Sequence, residues 1–320
     1  MGATGKDLHI DQNLTNIAIN YRPVGMIADL VAPIVPVAKQ SDFYAVWDQA
    51  DAFRTEDDKR APGTEAHLIT RSVSSGTYFA DNYALKTRLT IEDRENMDAA
   101  YVGELRNGRA AFLKSKIALN WEKRLADNIT TGANVGSYST VISDWVDTTA
   151  GNSDPIGDIE TGINNVYDST GYRPNRCLMG ELAWRHLRKH DDVAQMLYGS
   201  ITAGTPRRAS REQFKNLFEF DEFIVGQAYY NSADEGQSLA LAKMWLDYVL
   251  FYYAPPSPST EEPSFMYSFR WNKPGLANMT VEKHPYDTKT KSEEIELGYY
   301  QDEKITAKNL GFLLTHVTSV

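Results

Sequence analysis

The stretch Glu95–Thr131, ENMDAAYVGELRNGRAAFLKSKIALNWEKRLADNITT, decides how the rest of the chain is read. From Ala110 onward its apolar residues fall at Leu113, Ile117, Trp121, Leu125 and Ile129. That fourfold spacing drifts only slowly around a helix and predicts one stripe buried along most of its length. Lys114, Lys116, Glu122, Lys123, Arg124 and Asp127 populate the other faces. Thr90, three residues before Asp93, is placed to cap a short leading turn, and Gly132 is a natural stop. Gly103 and Gly108 weaken an unbroken rod over the first part. A helix from Met97 to Ile129 would be roughly 50 Å long at about 1.5 Å per residue, the length of a spine on which other parts are hung.

Toward the N-terminus, Ser41–Leu89 reads as two extended segments around a charged turn. FYAVW, then HLITRSV and TYF, carry the β-branched and aromatic residues, and EDDKRAPGTE lies between them. A lone hairpin is marginally stable in water, so its faces are expected to find partners beyond the local fold, either in a second subunit or, failing that, in solvent. Arg54, Glu56, Asp57, Asp58, Lys59 and Arg60 crowd both signs of charge into its tip and are the candidate intersubunit contacts. Before it, Ile17, Met26, Ile27, Leu30 and Val31 supply apolar faces that Pro23, Pro33 and Pro36 keep from joining into one helix, which is the pattern of an arm laid over something else.

Beyond the spine, VGSYSTVISDWVDTTAGNSDP is turn-rich and reads as a boundary. Asp154-Pro155 then opens a helix with Ile156, Ile159, Ile163 and Val166 on its buried face and Gly171 at its end. Arg176–Gly180 reads as a strand, ELAWRHLRKHDDVAQMLYG as helical, Phe223–Gly226 as a strand and Met244–Ala254 as a nearly all-apolar central one. Pro255–Pro263 reads as a surface loop. Near the C-terminus two extended segments, with Ile295, Leu297 and Tyr299 alternating in the first, are expected on either side of Asp302-Glu303, returning to pack beside the spine.

The whole is 320 residues, 42% hydrophobic, enough for a large core and two domains. One cysteine excludes an internal disulfide framework, and the N-terminus has no signal-peptide character. No run is long enough to span a bilayer. With 43 acidic against 33 basic residues and a formal charge of −10, binding to polyphosphate would need a local basic patch, for which Arg207, Arg208 and Arg211 are the candidates. His186 and His190 stand i, i+4 on a predicted helix, a spacing that suits one metal, but no third ligand is evident and an exposed basic face is the plainer reading. Cys177 reads as a buried structural thiol, and the pairs Asp57-Asp58, Glu261-Glu262 and Glu293-Glu294 as solvated. Sequence motifs for a nucleophile elbow, a phosphate loop or a dinucleotide fold are absent, so no cofactor and no catalytic residue is expected.

The order of parts resembles the major capsid proteins of tailed bacteriophages, which share the Hong Kong 97 fold. The resemblance runs from about Leu14 to Val317 and is carried by YRPVGMIADLVAPIVPV, TYFADNYALKTRLTIEDREN, DPIGDIETGINNVYDSTGYRPN, MWLDYVLFYYAPP, SFMYSFRW and EKITAKNLGFLLTHV in that order. It implies an α+β Hong Kong 97-like fold with an N-arm (1–40), an E-loop hairpin (41–89), a P-domain with the spine (90–153), an A-domain (154–284) and C-terminal strands returning to the P-domain (285–320). It further implies self-assembly into pentamers and hexamers of an icosahedral shell around double-stranded DNA held without sequence-specific contact. A separate scaffolding protein, a portal and a decoration protein would be its partners, with synthesis in the bacterial cytoplasm and residence in the virion. An encapsulin-type compartment shell shares the fold and is the near alternative; a soluble oligomeric enzyme is the distant one.

Overall fold

The computed structural model describes residues 9–10, 25–96, 102–141, 144–147, 153–199, 208–259, 262–272 and 279–318. The first third of the chain gives β1 (His9–Ile10), α1 (Ala28–Val31), β2 (Ile34–Val37), β3 (Ser41–Trp47), α2 (Gln49–Phe53), β4 (Val73–Phe79), β5 (Asp81–Thr90), α3 (Ile91–Glu95) and the spine α4 (Val102–Thr130). The middle gives β6 (Ser137–Thr140), α5 (Pro155–Thr170), β7 (Arg176–Gly180), α6 (Glu181–Leu187), α7 (Asp191–Tyr198), α8 (Arg211–Leu217) and β8 (Glu222–Gly226). The last part gives β9 (Tyr229–Asn231), β10 (Leu241–Lys243), β11 (Val249–Tyr252), β12 (Met266–Trp271), β13 (Thr280–Lys283), β14 (Ser292–Ile305) and β15 (Gly311–Thr315).

The spine is 29 residues long, about 43 Å, and its stripe is shared between two cores. Ala110, Leu113 and Ile117 pack with Val281, Ile295, Leu297 and Tyr299 of the first sheet. Leu125, Ala126 and Ile129 pack with Leu178, Leu250 and Leu313 of the second. The four-residue spacing is therefore what lets one helix bridge two sheets. Residues 97–101, at the expected start of the helix, lie outside the described part.

In the first sheet β14 is the axis: β5 pairs antiparallel along ten of its residues, while β13 and then β12 pair with its other edge. β2 closes one side, parallel to β12, and Pro36 is tolerated because β2 is an edge strand. The second sheet has the order β6-β15-β11-β7-β8, with all-buried β11 at its centre as its composition predicts. One of its faces is covered by the spine and α1, the other by α5, α6 and α8, where Trp145, Trp184, Phe214, Phe251 and Phe312 meet. Asp154 caps α5 through the amide of Gly157, and Gly171 ends it at φ 75°, the left-handed turn that favours glycine.

Five expectations change. HLIT (His67–Thr70) lies in an irregular exposed loop, and β4 begins only at Val73. β5 leaves the hairpin to pair with β14, so the hairpin proper is β3–β4, over residues 41–79. The turn-rich boundary after the spine contains β6, parallel to β15, and a fully buried Trp145 whose indole donates to Asp158 at 3.0 Å. The helical stretch after Gly180 is two helices, because His190 caps α7. β14 runs unbroken through Asp302-Glu303, since Asp302 accepts from the amide of Phe79 and Glu303 pairs with Arg124; β15 also reaches the spine, through Leu313, but as a member of the second sheet.

Candidate assembly surfaces and the junction behind them

The predicted tip residues Arg54, Glu56, Asp57, Asp58, Lys59 and Arg60 stand together in one exposed loop between α2 and β4. Their contacts are local: Arg54 lies 3.7 Å from Asp51, the amide of Lys59 donates to Asp57 at 3.0 Å, and Arg60 donates to the carbonyl of Thr64. Beyond them Leu68 is 92% exposed and Ile69 66%.

The hairpin has two unlike faces, as strand alternation requires. On the inner face Tyr44 and Tyr78 lie on Phe269 of β12, with ring centroids 5.4 and 4.8 Å apart. On the outer face Phe43, 69% exposed, and Phe79, 55% exposed, meet nothing among the described residues that removes them from water. The hairpin is tied to the first sheet at its root, where Ala80 donates to the carbonyl of Gln40 at 2.9 Å and Phe79 to Asp302 at 3.0 Å. Burial raises the Asp302 carboxyl above the usual range, against the pull of that hydrogen bond. A cavity of about 420 Å³ remains between the hairpin and the body, walled by Tyr44, Val46, Phe53, Tyr172, Tyr267 and Leu310.

Behind these surfaces lies a junction that the sequence pattern conceals. Glu122, on the spine, is fully buried. One carboxylate oxygen accepts from the amides of Ile27 and Ala28 at 3.0 and 2.8 Å, and the other from the indole of Trp245 at 2.6 Å. It thus caps α1 from another element, α1 having no cap of its own, and ties arm, spine and second sheet at one point. Trp245 sits close over Gly226, where any Cβ would come within 2.3 Å of its ring. Burial raises the Glu122 pKa; the indole and the two amides oppose the shift. Nearby, Arg124 stacks on Tyr83 and bonds to Glu303, while Arg270 bonds to Gln301 and faces Trp121 and Tyr299. Spine residues expected on the outer faces are thus partly inside. No sequence period signals this, because each partner lies far away in the chain.

Other candidates resolve as structural. His186 and His190 are parted by the helix break and share no site. His190 is fully buried, its Nδ1 accepting from the amide of Asp192 at 3.3 Å and its Nε2 standing 2.8 Å from Ser153 Oγ, which donates to the Asp147 carbonyl at 3.1 Å. Nδ1 also lies 3.5 Å from Asp192 Oδ2, and burial lowers the pKa of the ring against the pull of Asp192, Asp147 and Asp191. The pair of Ser153 and His190 resembles a nucleophile and base but is sealed from any substrate. Among the described residues no cluster suits a metal, and no helix is long and apolar enough to cross a membrane. Cys177 is buried beside Phe251. Glu293 and Glu294, expected to be solvated, are paired with Arg106 and with Lys86 and Arg88. Glu261 and Arg207 lie outside the described residues, whereas Arg208 and Arg211 are exposed.

The family model for phage major capsid protein E matches residues 132–254. A major capsid protein of Pseudomonas phage JBD67 is 25% identical over 313 residues, 97% of each chain. That of Burkholderia phage BcepMu is 26% identical over 276 residues, 84% of this chain and 86% of its own. Among solved structures, a phage-related protein from Bordetella bronchiseptica RB50 superposes with a TM-score of 0.72 at 22% identity, covering 97% of this chain and 98% of its own. The mature capsid of bacteriophage PhiM1 gives 0.53 at 11% over 89% and 85%, and the SrpI encapsulin of Synechococcus elongatus PCC 7942 gives 0.52 at 12% over 99% and 92%. The fold is the α+β, Hong Kong 97-like fold of phage capsid proteins. Within that class the chain is similar to phage major capsid proteins along nearly its whole length.

Proposed function

We propose that the chain assembles with itself, as pentamers and hexamers, into an icosahedral shell that confines double-stranded DNA. The observation that carries this reading is the hairpin: its inner face is anchored on Phe269, while its outer face and tip hold Phe43, Phe79, Leu68 and Ile69, which are left exposed among the described residues and suit cover by another chain. In this reading residues 41–79 act as the E-loop, the arm before them clamps neighbouring copies, and the second sheet gathers around the capsomer axes. The charged tip, Arg54 and Glu56 to Arg60, meets a neighbour. A separate scaffolding protein, a portal and a decoration protein complete the particle, which is made in the bacterial cytoplasm. DNA is held without sequence-specific contact, as befits a chain of charge −10.

Light scattering with negative-stain imaging of the purified chain, with and without a co-expressed scaffold, tests the proposal. Closed shells or capsomers are expected, and a monomer at every concentration would overturn it. The encapsulin alternative rests on the shared fold; an absorbance ratio showing particles free of nucleic acid after expression in infected cells would favour it.

A further inference from the structure

We infer that the basic hollow beside α6 and α8 is a socket for acidic side chains of a second copy of this chain. The inference rests on the shell reading above and names one contact within it. The hollow is a cavity of about 250 Å³ lined by Glu181, Trp184, Arg188, Ser210, Arg211 and Gln227. The Arg188 guanidinium lies 5.8 Å from the centre of the Trp184 ring, and its buried Nε has no hydrogen-bond partner among the described residues. The amide of Ala209 donates to the carbonyl of Arg188 at 2.9 Å, which ties the segment carrying Arg208 and Arg211 to the end of α6. Exposed Arg185 and Lys189 and half-buried Lys243 widen the basic surface, and Arg185 and Lys243 lie within electrostatic reach of each other.

None of Arg185, Arg188, Lys189, Arg208, Arg211 and Lys243 forms an ion pair among the described residues, whereas Arg88, Arg106, Arg124, Arg173 and Arg176 all do. In a chain of formal charge −10 these six cations make a local excess of positive charge. The carboxylates nearby are few. Glu181 is held by Gln227 at 2.8 Å, Glu212 follows Arg211 on α8, and Asp144 faces His186. A small open hollow with an indole wall and carboxylates at its rim suits one or two acidic side chains better than a continuous polyphosphate, which would meet Glu181 and Glu212 as well.

Copies related by a five-fold or six-fold rotation meet through two different surfaces, so unpaired cations on one face call for unpaired anions on another. The matching surface is the turn between β9 and β10. Asp234 and Glu235 are exposed there with no ion pair among the described residues, and Leu239 and Leu241 beside them are 69% and 65% exposed. Acidic groups flanked by apolar ones fit cations set against Trp184.

The test is a charge swap. Wild type, Arg211→Glu, the pair Asp234→Lys with Glu235→Lys, and all three changes together are assembled in parallel, with circular dichroism for the fold and light scattering and imaging for shells. Either reversal alone is expected to raise the concentration needed for shells by about tenfold, the change that corresponds to 1.4 kcal/mol, and the combination to restore it to within about threefold. Wild type forming shells while both reversals match it overturns the contact and leaves the shell reading standing. A defect of Arg211→Glu that the swap does not rescue also overturns the pairing, and if retention of a DNA duplex falls with it in fluorescence anisotropy, the hollow is a nucleic-acid contact instead. Failure of wild type itself to form shells counts against the shell reading.

Discussion

The Glu122 junction and the β3–β4 hairpin both join distant parts of the sequence, and they differ in what each leaves over. At the junction every donor has an acceptor: two amides and an indole converge on one carboxylate out of contact with water. At the hairpin one face is satisfied by Phe269 and the other is left apolar and wet. The first arrangement holds a monomer together. The second makes sense in an assembly, where another copy covers what this one exposes.

Removing the hub of the junction should give the largest effect on the fold. Glu122→Ala strands the amides of Ile27 and Ala28 and the indole of Trp245 in a dry site, and the loss is expected to be about 3–5 kcal/mol. Urea unfolding measures it. A loss below about 1 kcal/mol would mean that water enters and replaces the carboxylate, which would reduce the junction to an ordinary contact.

Phe269→Ala tests the dry side of the hairpin. Deleting a buried ring that carries two tyrosines should cost about 3 kcal/mol, and it should fall unevenly. Hydrogen exchange is expected to quicken across Ser41–Phe79 while the pairing of β5 with β14 keeps its protection. Uniform loss through the first sheet would show that hairpin and sheet form one cooperative unit.

The wet side should behave in the opposite way. Phe43→Ser with Phe79→Ser, or replacement of Glu56–Arg60 by a Gly/Ser linker, should leave the unfolding midpoint of the monomer nearly unchanged, within about 0.5 kcal/mol. Shells should form poorly or become fragile to salt and heat. Each exposed ion pair contributes only about 0–1 kcal/mol, yet the contact recurs in every subunit. Normal yield and stability of particles from both variants would make the outer face a merely solvated surface.

These contrasts also show what the sequence could reveal. The spine stripe, the caps of α5 and the central position of β11 were legible because each is encoded locally, in a period or a pair of residues. Glu122 was not legible. Flanked by Trp121, Lys123 and Arg124, it has the neighbours of an ordinary solvent-facing glutamate, and its burial depends on residues 27, 28 and 245. Asp302-Glu303 misled for the same reason, since two acidic residues mid-strand read as a break until Phe79 and Arg124 supply their partners. Exposed apolar side chains on the hairpin were visible as composition, but which face they occupy followed only from the register with β4.

The smallest expected effect is a pH dependence carried by Glu122. Burial raises its pKa in the folded chain above the ordinary value near 4.5, so between the unfolded and folded values the folded protein holds more protons than the unfolded one. Stability contributed through this group is therefore greatest on the acid side and falls as pH rises through the folded pKa. Asp158 and Asp302 are shifted the same way by burial, while Glu293 and Glu294 are lowered by their basic partners and slope in the opposite sense, so the raw curve of the wild type does not isolate Glu122. The difference from Glu122→Gln does, because glutamine keeps the shape and cannot titrate. The Gln variant should be the less stable overall, since its amide nitrogen faces the Trp245 indole donor, but its curve should lack the fall with rising pH that wild type shows just above the usual carboxylate range. Trp245 provides a local readout: its indole proton resonance should move through the same pH window as the stability difference. Parallel curves for the two proteins, with a Trp245 signal indifferent to pH, would show that the carboxylate stays charged throughout and that its three donors outweigh its burial.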